Sequence, residues 1–389
     1  MFTIWTIGVI FISLIPSFFM PSDDSLLVIY FYLSIFSFSS ILFGSMSKKL
    51  YSPKFRNPKV DVLLLKFLSL ILFAGLIYYL SRYVSIIMSY SSLAEYFYHI
   101  RYAAIHAGEP LITTGYYLTQ IKTFSMVFSL ILFNYLIDIK KSRNFKIFIC
   151  FFISLVLMAN VVEGSRNEFV FLSISYMFIY IYKRGSRNIF KILTFSFLVF
   201  FVLTVQTRGG GLGDNIFLSY LNHMILYSFG SLVSFEGFLN NDIQVSSSIV
   251  VKFVNLYNKL ANHFPFLSLL DHPPVKSAAF TMVSDELRMN VYSFLSVRIH
   301  YLGYIGAAVS IILHSLLITI TYDLRSNKFF YYCYCFMIPT VLLSLFHDYF
   351  FSFIPYYYRT FIVILFLYYI KPFSRYGKIL LPVKNRHFT

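Results

Sequence analysis

The stretch DVLLLKFLSLILFAGLIYYL, residues 61–80, decides the fold. Asp61 and Lys66 are its only charged residues, and a run of about 20 mostly apolar residues is what a helix needs to cross the hydrocarbon core of a bilayer. Working outward from it, similar runs recur at 2–20, 26–46, 116–137, 147–161, 168–182, 190–207, 301–321, 329–347 and 353–370. The expectation is an all-α integral membrane protein of about ten transmembrane helices, one polytopic membrane domain over residues 1–389. Composition agrees: 58% of residues are hydrophobic and 12% charged, the balance of a chain whose solvent is largely lipid. The first run lacks a basic start and a small-residue cleavage site, so it reads as a retained helix.

A formal charge of +16 raises the question of nucleic acid until the basic residues are placed along the chain. Lys48, Lys49, Lys54, Arg56 and Lys59 form one group; Lys140, Lys141, Arg143 and Lys146 a second; Lys183, Arg184, Arg187 and Lys191 a third. Arg325 with Lys328, and a tail bearing Lys371, Arg375, Lys378, Lys384 and Arg386, complete the series. These groups hold 20 of the 32 Lys and Arg and fall after every second apolar run. The positive-inside rule accounts for that spacing and puts both termini in the cytoplasm. The charge is a topology signal, and no nucleic-acid partner is expected. Cys150, Cys333 and Cys335 lie near cytoplasmic span ends, where no disulfide is expected.

Two outward segments are long enough to fold, 81–115 and 208–300. In the first, Ser92 and Glu95 have the spacing of a capping box that opens a helix. In the second, 216–239 reads as a re-entrant or interfacial helix, because a crossing there would put Arg325, Lys328 and the basic tail outside. Ile249, Phe253, Leu256, Tyr257, Leu260 and Phe264 then repeat at helical spacing, the pattern of a helix lying on the membrane. Long folded loops of this kind serve as lids or binding surfaces.

The chemically informative residues are the cations that the positive-inside rule does not place. Arg101, Arg166, Arg208, Arg288 and Arg298 lie outward or near the boundary, together with Arg82 and Arg359 and with Lys66, Lys122, Lys252, Lys259 and Lys276. Guanidinium binds phosphate through two parallel hydrogen bonds, so an outward arginine group suits a phosphate or diphosphate, against the plainer reading of snorkelling toward head groups. In Glu163-Gly164-Ser165-Arg166-Asn167-Glu168, the Ser165 and Glu168 pair reads as a capping box, which accounts for Glu168 structurally. Arg166 then sits at the first helical position, where the dipole disfavours a cation unless an anion is bound there.

Asp285, Glu286, Arg288, Arg298 and His300 gather before the eighth span. His300 is the first candidate for a general base and Asp285 or Glu286 the second, since an imidazole titrates near working pH. An interfacial hydrogen-bonding role explains His300 equally. Arg208-Gly209-Gly210-Gly211-Leu212-Gly213 lacks the Lys-Ser/Thr of a phosphate-binding P-loop. Its glycines read as a flexible exit from the membrane, with Arg208 kept as a phosphate candidate. His347, Asp348 and Arg359 form a further polar group that an internal ion pair would explain. Asp23 and Asp24 sit in an outward segment of five residues, too short for an acidic catalytic domain.

The many spans, the Gly164-Ser165-Arg166 turn, the long outward loop before the late spans, and Asn290 followed by Arg298-Ile299-His300-Tyr301-Leu302-Gly303-Tyr304-Ile305-Gly306 carry a resemblance. The chain resembles the O-antigen polymerases, the Wzy-type oligosaccharide repeat-unit polymerases of bacterial surface-polysaccharide synthesis. The resemblance implies a GT-C-like glycosyltransferase bundle in the bacterial inner membrane, with the two long loops periplasmic. It implies that undecaprenyl-diphosphate-linked oligosaccharide repeat units are joined at the periplasmic face, with a chain-length regulator and a flippase as further partners. Under it, Arg101, Arg166, Arg208, Arg288 and Arg298 hold the diphosphate, and His300, Asp285 or Glu286 activates the acceptor. No cofactor is implied and metal independence is expected. A lipid-linked-oligosaccharide flippase and an O-antigen ligase are the alternatives; the first calls for about twelve or more spans, and nothing in the sequence identifies the acceptor that would mark the second.

Overall fold

A lone apolar segment satisfies its backbone in lipid only by coiling into a helix, and helices account for nearly all of the structure. A computed structural model of the chain describes residues 1–14, 19–50, 60–102, 116–138, 143–163, 166–185, 231–239, 281–282, 288–289, 294–344, 350 and 354–370. The helices are α1 Phe2–Ser13, α2 Asp23–Leu50, α3 Val62–Ile87, α4 Leu93–Tyr102, α5 Tyr116–Asp138, α6 Arg143–Val162 and α7 Arg166–Arg184. There follow α8 at 231–239, α9 Phe294–Asp323, α10 Lys328–Leu342 and α11 Ile354–Ile364, the last continuing as a π-helical turn, Leu365–Ile370. Among the described residues the strands are a two-residue antiparallel pair, β1 Thr281–Met282 with β2 Arg288–Met289.

Five of these helices contain stretches long and apolar enough to cross a membrane: Asp23–Met46, Val62–Ile87, Tyr117–Asp138, Arg143–Val162 and Leu302–Asp323. The protein is thus an all-α, multi-pass membrane protein. Helices α10 and α11 overlap the runs at 329–347 and 353–370 but are shorter than these five, α10 having 15 residues, while the expected span at 190–207 lies outside the described residues. The first span differs from expectation. Helix α1 has 12 residues, about 18 Å at 1.5 Å per residue, well short of a ~30 Å core. Its end comes three residues before Pro16, whose ring disfavours helix in the residue ahead of it.

The helices alternate in direction, and side-chain contacts at their ends show it. Where α3 and α6 finish, α5, α7 and α11 begin: Tyr79, Lys122, Glu163, Glu168 and Tyr356 meet there. At the opposite end Lys183 of α7 bonds Asp138 of α5 at 2.6 Å, and Arg184 donates to the Ile137 carbonyl. Asp61 caps α3 there by accepting from the Leu63 and Leu64 N–H groups, and its own N–H donates to the Leu367 carbonyl in the π turn. Arg143 and Lys146 at the start of α6, and Lys328 at the start of α10, belong to this second end.

Two apolar cores result. The larger gathers α3, α5, α6, α7, α10 and α11 around residues such as Leu76, Phe128, Phe152, Leu172 and Phe336. The smaller gathers α1, α2, α8 and α9 around Trp5, Leu33, Phe235 and Ile311. Gly75 sets the α3–α5 approach: a Cβ there would stand 2.7 Å from Ile121 Cγ2. Polar groups inside the bundle pair across helices, as Ser129 with Tyr176, Asn134 with Tyr332, and Ser40 with Ser315. Others, including Ser173 and Thr319, bond back to the preceding turn. The outer surface is apolar, with Leu27 and Ile41 more than 70% exposed, as a lipid-facing surface requires.

Candidate functional site

The described ionic groups converge most densely where α5, α7 and α11 begin. Lys122 lies in the second turn of α5 and is buried. Its ammonium bonds Glu163, in the turn after α6, and Glu168 Oε2 at 2.6 Å, two residues into α7. Glu163 also accepts from the phenols of Tyr79 and Tyr83 on α3. Glu168 accepts from Tyr356 of α11 at 2.9 Å. One ammonium thus ties two carboxylates, to which three phenols also donate. The Glu163 and Glu168 side chains remain 19% and 26% exposed, so the carboxylates form the accessible edge and the lysine the closed floor.

The surround is built from the same helix ends. Arg359, buried in the second turn of α11, donates to Gln120 Oε1 and lies over the rings of Phe124 and Tyr358. Helix α4 covers the site from the loop side. Tyr96 is buried and its hydroxyl donates to the Val162 carbonyl at 2.6 Å, while burial pushes its phenol up from the ordinary range. Ser92 and Glu95 form the expected cap: the Glu95 N–H donates to Ser92 Oγ at 3.1 Å. The Ser91 hydroxyl and N–H both donate to Glu95 and hold its carboxyl below the usual value.

A second polar group lies in the smaller core. Gly303, at φ 66° and ψ 177°, breaks α9 into Phe294–Leu302 and Tyr304–Asp323. That region is open essentially only to glycine. Arg298 reaches across the break: its guanidinium meets Ser310 Oγ at 3.4 Å and His314 Nδ1 at 3.2 Å, and it stacks over Phe294 and Phe350. His314 Nε2 pairs with Thr340 of α10 at 3.0 Å. Trp5 Nε1 donates to Ser344 Oγ at 2.9 Å, and the Phe294 N–H donates to the Ser344 carbonyl, so α1, α9 and α10 close over one another. Between α2 and α9 a groove of about 340 Å³ is lined by Leu27, Phe31, Tyr32, Tyr304 and Ile305. Its walls are almost wholly apolar and offer no group for chemistry.

The sequence-predicted residues divide among these places. Arg166 opens α7, within two residues of Glu168. Arg101 lies in the last turn of α4. Arg288 stands in β2 opposite Met282. Arg298 is 1% exposed, its guanidinium enclosed by rings and hydrogen-bond partners. His300 follows it by two residues in α9. Arg208, Asp285, Glu286, the 249–264 helix, His347 and Asp348 lie outside the described residues. Of the 216–239 segment, the described part is α8; its Leu232 and Phe235 are buried, and Glu236 accepts from the Ser22 N–H ahead of α2.

Sequence pattern alone does not reveal the Lys122 network: Glu168, the capping-box partner of Ser165, also bonds Lys122 and Tyr356 through its carboxylate, while Ser165 itself lies outside the described residues. The available signal was Lys122 itself, a charge inside an apolar run, which in a membrane segment marks a partner or a function. Among the described residues no three His, Cys, Asp or Glu side chains come together as metal ligands. No family model, characterised protein or solved structure matches this chain.

Proposed function

We propose that the protein is a multi-pass glycosyltransferase of the O-antigen polymerase type, joining undecaprenyl-diphosphate-linked oligosaccharide repeat units at the periplasmic face of a bacterial inner membrane. The observation that carries this reading is the convergence of Lys122, Glu163, Glu168, Tyr79, Tyr83 and Tyr356 at the end of the bundle opposite the basic loops. Arg166 opens α7 at this same end. By the positive-inside rule this end faces outward, where a lipid-linked glycan presents its diphosphate at the membrane boundary and its sugars above it.

In this reading Arg101, Arg166, Arg208 and Arg288 hold the donor diphosphate and stabilise the charge that develops on it. A hydroxyl oxygen of the acceptor glycan attacks the anomeric carbon of the donor. The bond from that carbon to the diphosphate oxygen breaks, and undecaprenyl diphosphate leaves. The hydroxyl proton passes to His300, or to Asp285 or Glu286. Arg298, held inside by Ser310 and His314, supports the segment that carries His300 and does not touch the ligand.

Deletion of the coding sequence followed by a surface-polysaccharide ladder on a gel tests the reading. Core bearing a single repeat unit is the expected result. Loss of all core capping with lipid-linked polymer retained would make the protein a ligase. Loss of capping with single lipid-linked repeats held on the cytoplasmic side would make it a flippase. An unchanged ladder overturns all three.

A further inference from the structure

Glu163, in the turn after α6, and Glu168, in the first turn of α7, supply the carboxylates of the candidate site, and one buried ammonium spans them. Four residues stand between Glu163 and Glu168. One ammonium bonded to both carboxylates ties the end of α6 to the first turn of α7.

The bridge also fixes how that first turn is oriented. Glu168 is held from two sides, by Lys122 of α5 and Tyr356 of α11. Glu163 is held by Lys122 and by two tyrosines of α3. Helices α3, α5 and α11 thus grip the residues flanking the start of α7 from three directions. The first residue of α7 is Arg166, and the first N–H groups of a helix have no partner within it. Arg359 and Gln120, a turn away on α11 and α5, bond each other and brace the same helix starts.

From this geometry we infer that Lys122 is a positioning residue: through Glu163 and Glu168 it sets the direction in which the first turn of α7, with Arg166, meets the substrate diphosphate. The inference rests on the proposed function and deepens it. Lys122 does not touch the substrate, because it forms the buried floor beneath the carboxylates. Its charge matters through its two partners. Arginine, which keeps the charge and can bond both carboxylates, substitutes for it; a neutral side chain does not.

The experiment uses the full-length chain in its deletion strain. Wild type, K122R, K122M and the triple variant K122M/E163Q/E168Q are compared at matched membrane protein levels. Each is also purified into nanodiscs and assayed on lipid-linked single repeat units extracted from the deletion strain. The triple variant is the decisive one, because it removes all three charges of the bridge together. It is expected to keep wild-type thermal stability, to raise KM for the lipid-linked unit at least tenfold with a smaller change in kcat, and to shorten the polymer. K122R is expected to stay within about threefold of wild type. A stable triple variant with wild-type KM and ladder overturns the inference and leaves the proposed function standing, as does K122R failing like the triple variant while folding normally. A deletion strain whose ladder is unchanged overturns the proposed function and the inference with it.

Discussion

Lys122 and Arg298 are both cations drawn inside one helical bundle, and their surroundings differ in kind. Lys122 meets two carboxylates whose outer edges are exposed, contributed by a turn and a helix start. The partners described around Arg298 are a hydroxyl, an imidazole and two aromatic rings, all inside the smaller core. The first arrangement is ionic and sits at a junction of helix ends. The second, in its described contacts, is polar and aromatic and spans a break in one helix. A buried ion pair contributes little net stability over an apolar replacement, yet breaking it by removing one partner is costly. Burial of a cation is therefore no guide to its role by itself: Lys122 joins groups at an exposed junction of helix ends, and Arg298 joins groups in the interior.

The largest expected effect follows from the ionic case. K122M alone leaves two partly buried carboxylates without their cation and should lower stability by about 3–5 kcal/mol, read as a fall in unfolding temperature in detergent. Adding E163Q and E168Q should restore wild-type stability; a triple variant as unstable as K122M would mean that the loss does not come from the unpaired carboxylates. Next comes Gly303, whose backbone conformation a side chain resists at a cost of order 1–3 kcal/mol. G303A should destabilise the protein by that order on thermal unfolding, and the loss of the break would draw Arg298 away from His314.

R298K keeps the charge but gives up the planar stack over Phe294 and Phe350. It should cost about 1–2 kcal/mol by the same measurement, and its polymer length should follow stability alone. A fall in chain length at unchanged stability would move Arg298 into the ligand site and erase the contrast drawn above. Y356F removes one hydrogen bond to Glu168 and should cost about 1 kcal/mol, with a modest rise in KM. Glu95 is the smallest case. Its carboxyl is held below the usual value in the folded state, so its contribution to α4 is present above the unfolded carboxyl pKa and is lost as pH falls through the depressed one. Hydrogen exchange of the α4 amides should accelerate on acidification and be flattened by E95Q.

The membrane class and five of the ten expected span positions were legible because apolar runs are local signals. Helix bounds were less so. Helix α2 runs on to Leu50 and α9 starts at Phe294, beyond the apolar runs at 26–46 and 301–321, since backbone hydrogen bonding continues past the hydrocarbon boundary. The first helix stops short for the converse reason: its run stays apolar to Met20, but Pro16 interrupts it. The Ser92 and Glu95 cap was visible because its partners lie three residues apart.

The site was hidden for a different reason. Tyr356 meets Glu168 across 188 residues, and Trp5 meets Ser344 across 339. Nothing local marks which of the 33 tyrosines will face a carboxylate. Arg166 stood out by its position in a turn; Lys122, the residue that braces that turn, could be picked out only as a charge in an apolar run.

The same bridge bears on how the protein is made. Lys122 enters the membrane on α5 before its partners exist, for Glu163 and Glu168 lie 41 and 46 residues further along the chain. At about 5–20 residues per second, several seconds pass before the α6–α7 hairpin is translated. A lysine in the second turn of a helix waits by snorkelling its ammonium toward the near interface. The ionic junction can therefore close only after the segment bearing Glu163 and Glu168 has been translated, so it joins α5 to α6 and α7 as a late contact.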